Sequence, residues 1–158
     1  MKRVVVLGRG AAGKSTLAAR LGEMTGLPVV ELDQLFWQPN LPARERDEWE
    51  SVQRELTRSD AWILDGDLGP HDVLGVRLRA ADTVIVLDFS LLRCAARAMS
   101  RSREHADFWR WLWGYRRRNV PQIMQLIDRS GEGVDLYVLR NPHEVRRFLS
   151  RVASGPPG

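Results

Sequence analysis

Only one cysteine, Cys94, occurs in 158 residues, so no internal disulfide can form and no pair of thiolates can hold a metal. That excludes a disulfide-stapled scaffold and a zinc-thiolate module; a reducing, cytoplasmic setting is expected, with Cys94 used for packing. Long apolar runs are also missing. The first, in "MKRVVVLG", is too brief for the hydrophobic part of a signal peptide, and no other reaches the roughly 20 residues that cross a bilayer. His71, His105 and His143 share no ligand spacing, so no protein-bound transition metal is expected. Lysine is nearly absent: Lys2 and Lys14 are the only two, and the formal charge of +4 rests on arginine. Arginine in such excess has three readings: a face that tracks nucleic acid, guanidiniums gathered round phosphates, or a compositional bias spread over the surface.

What is present is an alternation of short apolar runs with amphipathic stretches, the pattern of an α/β domain with a parallel sheet. Five strands are predicted, "RVVVLG" (3–8), "PVVELD" (28–33), "AWILDG" (61–66), "TVIVLDF" (83–89) and "VDLYVL" (134–139). A helix follows the first strand and stops at Gly26, and a second carries Trp49, Val52 and Leu56 on one face. A long helical region is expected from about Ser90 to Ile127, and a last helix runs through "PHEVRRFLSRV". With no internal repeat and no linker, residues 1–152 are read as one domain and 153–158 as a disordered tail.

The stretch "GRGAAGKST" satisfies G-x-x-x-x-G-K-[ST], with Gly8, Gly13, Lys14 and Ser15 in the fixed places. Average composition produces this match by accident in roughly one chain of this length in two hundred, and here a strand precedes it and a helix follows, as the chemistry requires. Glycines allow backbone amides to turn inward around phosphate oxygens, and the helix N-terminus adds its positive end. The segment Gly8, Arg9, Gly10, Ala11, Ala12, Gly13, Lys14, Ser15 and Thr16 is therefore the candidate ATP-phosphate cradle. Lys14 is assigned to the β and γ phosphates, Ser15 to Mg²⁺ and the Thr16 hydroxyl to the α phosphate. In an open parallel sheet ligands sit beyond the carboxyl ends of the strands, where Asp33, Asp65 and Asp88 fall.

Through "GRGAAGKST", "LDQLFW", "WILDG", "ADTVIVLDFS", "FWRWLWGYRRR" and "VLRNPHEVRRFL" the chain resembles the P-loop kinases of the adenylate kinase group. It is most similar to their small bacterial relatives known as DNA topology modulation proteins, or adenylate kinase-like proteins. The resemblance spans nearly the whole chain and implies a three-layer P-loop fold with a five-stranded parallel sheet. It also implies ATP as phosphoryl donor with Mg²⁺, and a short helical lid within about 100–118. Asp65 matches the aspartate that lies beside the metal in the "LDG" turn, reaching it through water; a turn-forming carboxylate ahead of Gly66 is the alternative. Asp33 resembles the strand-two aspartate that related small-molecule kinases place on an acceptor hydroxyl, and the alternative is a cap on a helix starting near Gln34. Asp88 is assigned to a bond with neighbouring loop backbone. Asp67 replaces the asparagine associated with the family.

The two arginines that clamp AMP in adenylate kinases proper are unmatched: Trp37 and Leu68 occupy their neighbourhoods, with Arg44, Arg46 and Arg77 as possible substitutes. The acceptor-side candidates are Asp33, Trp37, Asp67 and Arg77. Arg97 and Arg101, one helical turn apart, match the "RxxxR" that precedes the lid and covers the adenine and the transferring phosphoryl. The aromatics of "FWRWLWGYRRR" read as a buried helical face, with base stacking on a single strand as the alternative. Arg140 and Asn141 stand where relatives contact the adenine ring, although Pro142 has its own reason to be at a helix first turn. The expected function is Mg-ATP-dependent transfer of the γ-phosphoryl to a small acceptor, with Lys14, Asp33, Arg97 and Arg101 catalytic. The alternative is an ATP-binding regulatory or DNA-associated protein with slow hydrolysis. No membrane partner is expected.

Overall fold

The computed structural model describes residues 1–37, 44–101, 120–127 and 133–155, and the side chains of all of these except residues 70 and 97–101. Five parallel strands, β1 (Arg3–Gly8), β2 (Val29–Glu31), β3 (Trp62–Asp65), β4 (Thr83–Leu87) and β5 (Asp135–Leu139), stand in the order β2-β3-β1-β4-β5. β1 is central, pairing Val5 with Leu64 on one side and with Val84 on the other. Its β-branched residues are wholly buried because both faces are covered, the condition that makes a parallel strand read as one apolar run.

Side chains alternate across the sheet, and the two faces feed two separate cores. Val4, Val6, Ile63 and Ile85 pack against α1 (Lys14–Thr25), α5 (Leu91–Arg101) and α7 (Pro142–Ala153), and Cys94 is buried in this layer as packing. Val5, Leu7, Leu64 and Val86 pack against α2 (Leu32–Phe36), α3 (Arg46–Leu56), α4 (Gly75–Ala80) and the helical residues 120–127 (α6). A three-layer α/β/α arrangement results. The connection from β1 leaves to one side and that from β3 returns to the other side of β1, so the crevice at the carboxyl end of β1 is the topological switch point.

The expected elements are met with three differences. The second strand ends at Glu31 instead of residue 33, because Leu32 already starts α2, so Asp33 lies in the first turn of a short helix and not at a strand end. Glu31 occupies its N-cap position, which overturns the reading of Asp33 as a cap. The region 90–127 contains α5 and α6, and the lid expected within 100–118 falls almost wholly on residues outside the described ones. At the C-terminal end, α7 continues through Ala153 and is closed by Ser154, so residues 153 and 154 of the expected tail belong to a helix end; residues 156–158 lie outside the described ones.

Candidate active site

The glycine loop leaves β1 through Gly8, whose φ is +150° and whose position faces β4 closely. A Cβ there would lie 2.8 Å from the Leu87 carbonyl oxygen and 2.9 Å from the Leu87 Cβ, a collision with strand backbone. Gly8→Ala is therefore expected to push the loop off the sheet, lowering both thermal stability and nucleotide affinity, checked by melting and calorimetry. Ala11 (φ 58°) and Gly13 (φ 96°) are both left-handed, and such alternation bends a chain into an anion-receiving concavity. The loop is braced by the Ala12 amide donating to the Arg9 carbonyl at 3.1 Å. Gly13 is the N-cap of α1, where no side chain caps the helix and no acidic residue sits in the first turn. The positive end of α1 is thus left for a bound anion.

Asp65 ends β3 beside this loop. It is buried, and its Oδ1 has no hydrogen-bond partner among the described residues. Burial pushes its pKa up, opposed by the Ser15 side chain against the carboxylate and by the Lys14 charge, while Asp33 adds a smaller upward push. A buried carboxylate oxygen left over, next to a serine hydroxyl, is the hard-oxygen donor set that suits Mg²⁺ with its water shell, and the residues present fit that ion. Among the described residues there is no cluster of three or more His, Cys, Asp or Glu able to form an all-protein metal cage. Mg²⁺ also keeps several waters and shares substrate phosphates instead of such a cage.

Asp33 sits on the solvent-accessible side of α2, yet the protein crowds it enough to raise its pKa; Lys14 pulls the value down, and Asp67 and Asp72 push it up. Lys14 therefore stands between the two aspartates electrostatically. One turn beyond Asp33, Trp37 is 54% exposed. Its ring makes edge contacts with Phe36 at 4.7 Å and with His71 at 6.1 Å. Asp67 is buried and its Oδ1 accepts the Gly69 amide at 3.1 Å, closing the turn after β3.

Arg77, expected on the acceptor, is corrected by its position. The side chain is fully buried, and its two terminal nitrogens each meet one oxygen of Asp72 at 2.7 Å. They also donate to Gln53 Oε1 at 3.0 Å and the Gly66 carbonyl at 2.7 Å, so no terminal nitrogen is left to face an acceptor. The Asn141 side chain caps α7: its Oδ1 accepts the Glu144 amide at 3.0 Å and its Nδ2 donates to Glu144 Oε1 at 2.7 Å. The Arg140 amide donates to Glu144 Oε2 at 2.8 Å, and its side chain is exposed. Arg97 and Arg101 lie on α5, and their side chains are outside the described residues. The Asp88 amide donates to the Leu139 carbonyl at 3.0 Å.

Two cavities bear on the site, and only the first is lined by residues of the glycine loop. One, of about 340 Å³, is walled by Thr16, Leu87, Phe89, Pro142 and Val145 between α1 and α7. The other, of about 350 Å³, lies between α3, α4 and α6 and is lined by Arg46, Asp67, Val73, Arg79 and Ile123 among others. Sequence reasoning missed Asp72 and Arg79 altogether, since neither belongs to a motif and both depend on how α4 packs.

No family model and no curated protein matches the chain. Solved structures do. A shikimate kinase from Acinetobacter baumannii in complex with shikimate matches with a TM-score of 0.68 at 16% identity, over 100% of this chain and 96% of the other. A sugar kinase from Janibacter sp. matches at 0.58 and 19% identity, over 99% and 96%. A gluconokinase from Sinorhizobium meliloti matches at 0.57 and 21%, over 97% and 94%. At these identities the likeness is one of fold: the chain has the α/β architecture and five-stranded parallel sheet of P-loop kinases.

Proposed function

We propose that the protein is a Mg-ATP-dependent phosphotransferase that moves a γ-phosphoryl group to a hydroxyl of a small acceptor. The observation that carries this reading is the meeting of Lys14, Ser15 and Asp65 with Asp33 at the carboxyl end of β1, where a phosphate cradle faces a crowded, accessible carboxylate. In support, one neighbour of the same fold was solved with shikimate and another is a gluconokinase, both names that point to small hydroxyl-bearing acceptors. The sequence motifs lean to the adenylate kinase-like branch, and the missing AMP clamp argues against AMP as the acceptor.

In this reading the loop amides and Lys14 hold the triphosphate. The apolar cavity between α1 and α7 takes the base beside Thr16 and Pro142. Mg²⁺, when bound through Ser15 and through water to Asp65, would screen the phosphate charge and fix the geometry of the γ-phosphoryl. Asp33 accepts the proton of the acceptor hydroxyl as its oxygen bonds to the γ-phosphorus; the bond to the bridging β–γ oxygen breaks and ADP departs. Its raised pKa makes that carboxylate a stronger base than an ordinary aspartate. Trp37 and Asp67 flank the acceptor. Arg97 and Arg101 are assigned to the charge on the transferring group.

ADP release over a panel of nucleosides, nucleotides and hydroxyl metabolites tests the proposal. One class is expected to accelerate release strongly, and Lys14→Ala is expected to lower that rate by roughly 10²–10³-fold or more. Acceptor-independent release with salt-steep duplex DNA binding would replace the kinase reading by the DNA-associated one.

A further inference from the structure

The arginine excess of the chain is not spread evenly over the two faces of the sheet. Helices α1, α5 and α7, which cover one face, contain eight basic residues and two acidic ones, whereas α2, α3 and α4 on the other contain four and five. Three arginines on or beside α3 have carboxylate partners: Arg44 with Glu48, Arg54 with Glu50 and Arg58 with Glu55. The arginines of α7 differ. Arg146, Arg147 and Arg151 are exposed, and none of their side chains has a hydrogen bond or ion pair among the described residues. Arg20 of α1, which lines a cavity together with Pro142, Val145 and Leu149 of α7, is exposed and equally without such a partner. Glu144, the one acid of α7, is held by the Arg140 amide and the Asn141 side chain. His143, Arg147 and Arg151 recur every four residues, in one exposed row about 12 Å long. A compositional bias alone would neither sort arginines by face nor leave every arginine of one helix without a carboxylate.

We propose that the outward face of α7, with Arg20 beside it, is a docking surface for double-stranded nucleic acid, held through its phosphates. Like charges lined along one helix repel one another, and a polyanion laid across them removes that repulsion while releasing its own counterions. The side chains around the row decide which polyanion fits. Phe148 and Leu149 are buried, and Val145 and Val152 pack on the core. The outward face therefore has no large apolar side chain to enter a lipid interface and no aromatic ring on which an unpaired base could stack. What remains is a straight row of charge on a rigid element, which matches the regular phosphates of a duplex. Contacts of that kind position a protein without reading sequence. This surface goes beyond the phosphotransferase reading and does not depend on it. Helix α7 covers the face of the sheet opposite to α2, which carries Asp33, so a duplex on α7 leaves the acceptor side open.

Fluorescence anisotropy with labelled DNA and RNA duplexes of about 20 base pairs tests this, and binding of either duplex supports the surface. Binding is expected at low salt, with log affinity falling linearly against log salt concentration. Arg147→Gln with Arg151→Gln, checked for folding by thermal melting, is expected to weaken binding about ten-fold or more at low salt and to reduce the salt slope by about two. Arg147→Lys with Arg151→Lys should retain most of it, since a phosphate contact needs the charge more than the guanidinium plane. Arg54→Gln with Arg58→Gln removes the same net charge from the other face and is expected to change affinity less than about two-fold. Equal losses in the two glutamine variants, a single strand bound as tightly as the duplex, tighter binding to vesicles of anionic phospholipid, or no duplex binding at low salt would each overturn the surface. None of these outcomes touches the kinase, which acceptor-dependent ADP release decides.

Discussion

Asp33→Asn is expected to lower phosphoryl transfer by about 10²–10⁴-fold, the range of a lost general base, while the protein without nucleotide becomes more resistant to heat at neutral pH. Both halves follow from one fact: crowding and the neighbouring charges of Asp67 and Asp72 hold the Asp33 carboxyl above its ordinary value of 3.8, against the pull of Lys14. A raised carboxyl binds its proton more tightly in the folded chain than in the unfolded one. Its ionised form therefore destabilises the fold, by an amount that grows as pH rises from the ordinary value and is complete above the raised one. Asparagine removes that cost. The gain in melting temperature should be present at pH 7 and vanish on acidification below 3.8, where parent and variant both carry a neutral side chain. A variant that melts lower than the parent at pH 7 would mean that Asp33 serves α2 as an acidic first-turn residue before it serves any acceptor. Stability given up at an accessible carboxylate beside a phosphate-binding loop is the pattern of a functional group, since a structural one would have been neutralised.

The strand–loop–helix unit of the glycine loop was legible in the chain because its geometry is local. Gly8, Gly13, Lys14 and Ser15 act through fixed spacing in one strand–loop–helix unit, so the spacing alone positions them. The sheet was legible for a similar reason, since strands buried on both faces are continuous apolar runs, and β1, β3 and β4 emerged within two residues of their expected bounds. The acceptor half was not. The setting of Asp33 depended on whether the chain after Glu31 continued as strand or turned into helix, and "LDQLF" contains no turn residue to mark the change. Arg77 shows the limit more sharply. An arginine in a charge-rich helix reads as surface, and only the packing of α4 between α3 and the sheet reveals that it is entombed with Asp72 and Gln53, 5 and 24 positions away.

Arg77→Met is the substitution expected to cost the most stability. It leaves the Asp72 carboxylate buried with its charge uncompensated, a loss of about 3–5 kcal/mol, or on the order of 10 °C in melting temperature for a chain of this size. In the parent, the paired guanidinium and the Gln53 amide hold the Asp72 pKa below its ordinary 3.8 in spite of burial. Its contribution is therefore present above 3.8 and lost only as pH falls through the depressed value. Without Arg77, burial is no longer offset, the pKa rises instead, and the variant should become more stable on going from neutral pH to about pH 5. Adding Asp72→Asn to Arg77→Met removes the stranded charge and should recover most of the loss, as urea midpoints of the cycle would show. Activity should not return with stability. Arg77 Nη2 holds the Gly66 carbonyl at 2.7 Å and Asp72 accepts from the Leu68 amide at 3.4 Å, so the pair braces the turn that carries Asp67 and follows Asp65. A double variant that is stable but slow, with kcat lowered more than acceptor KM is raised, would identify the buried pair as the frame of the catalytic turn; full recovery of kcat together with stability would reduce it to an ordinary core contact.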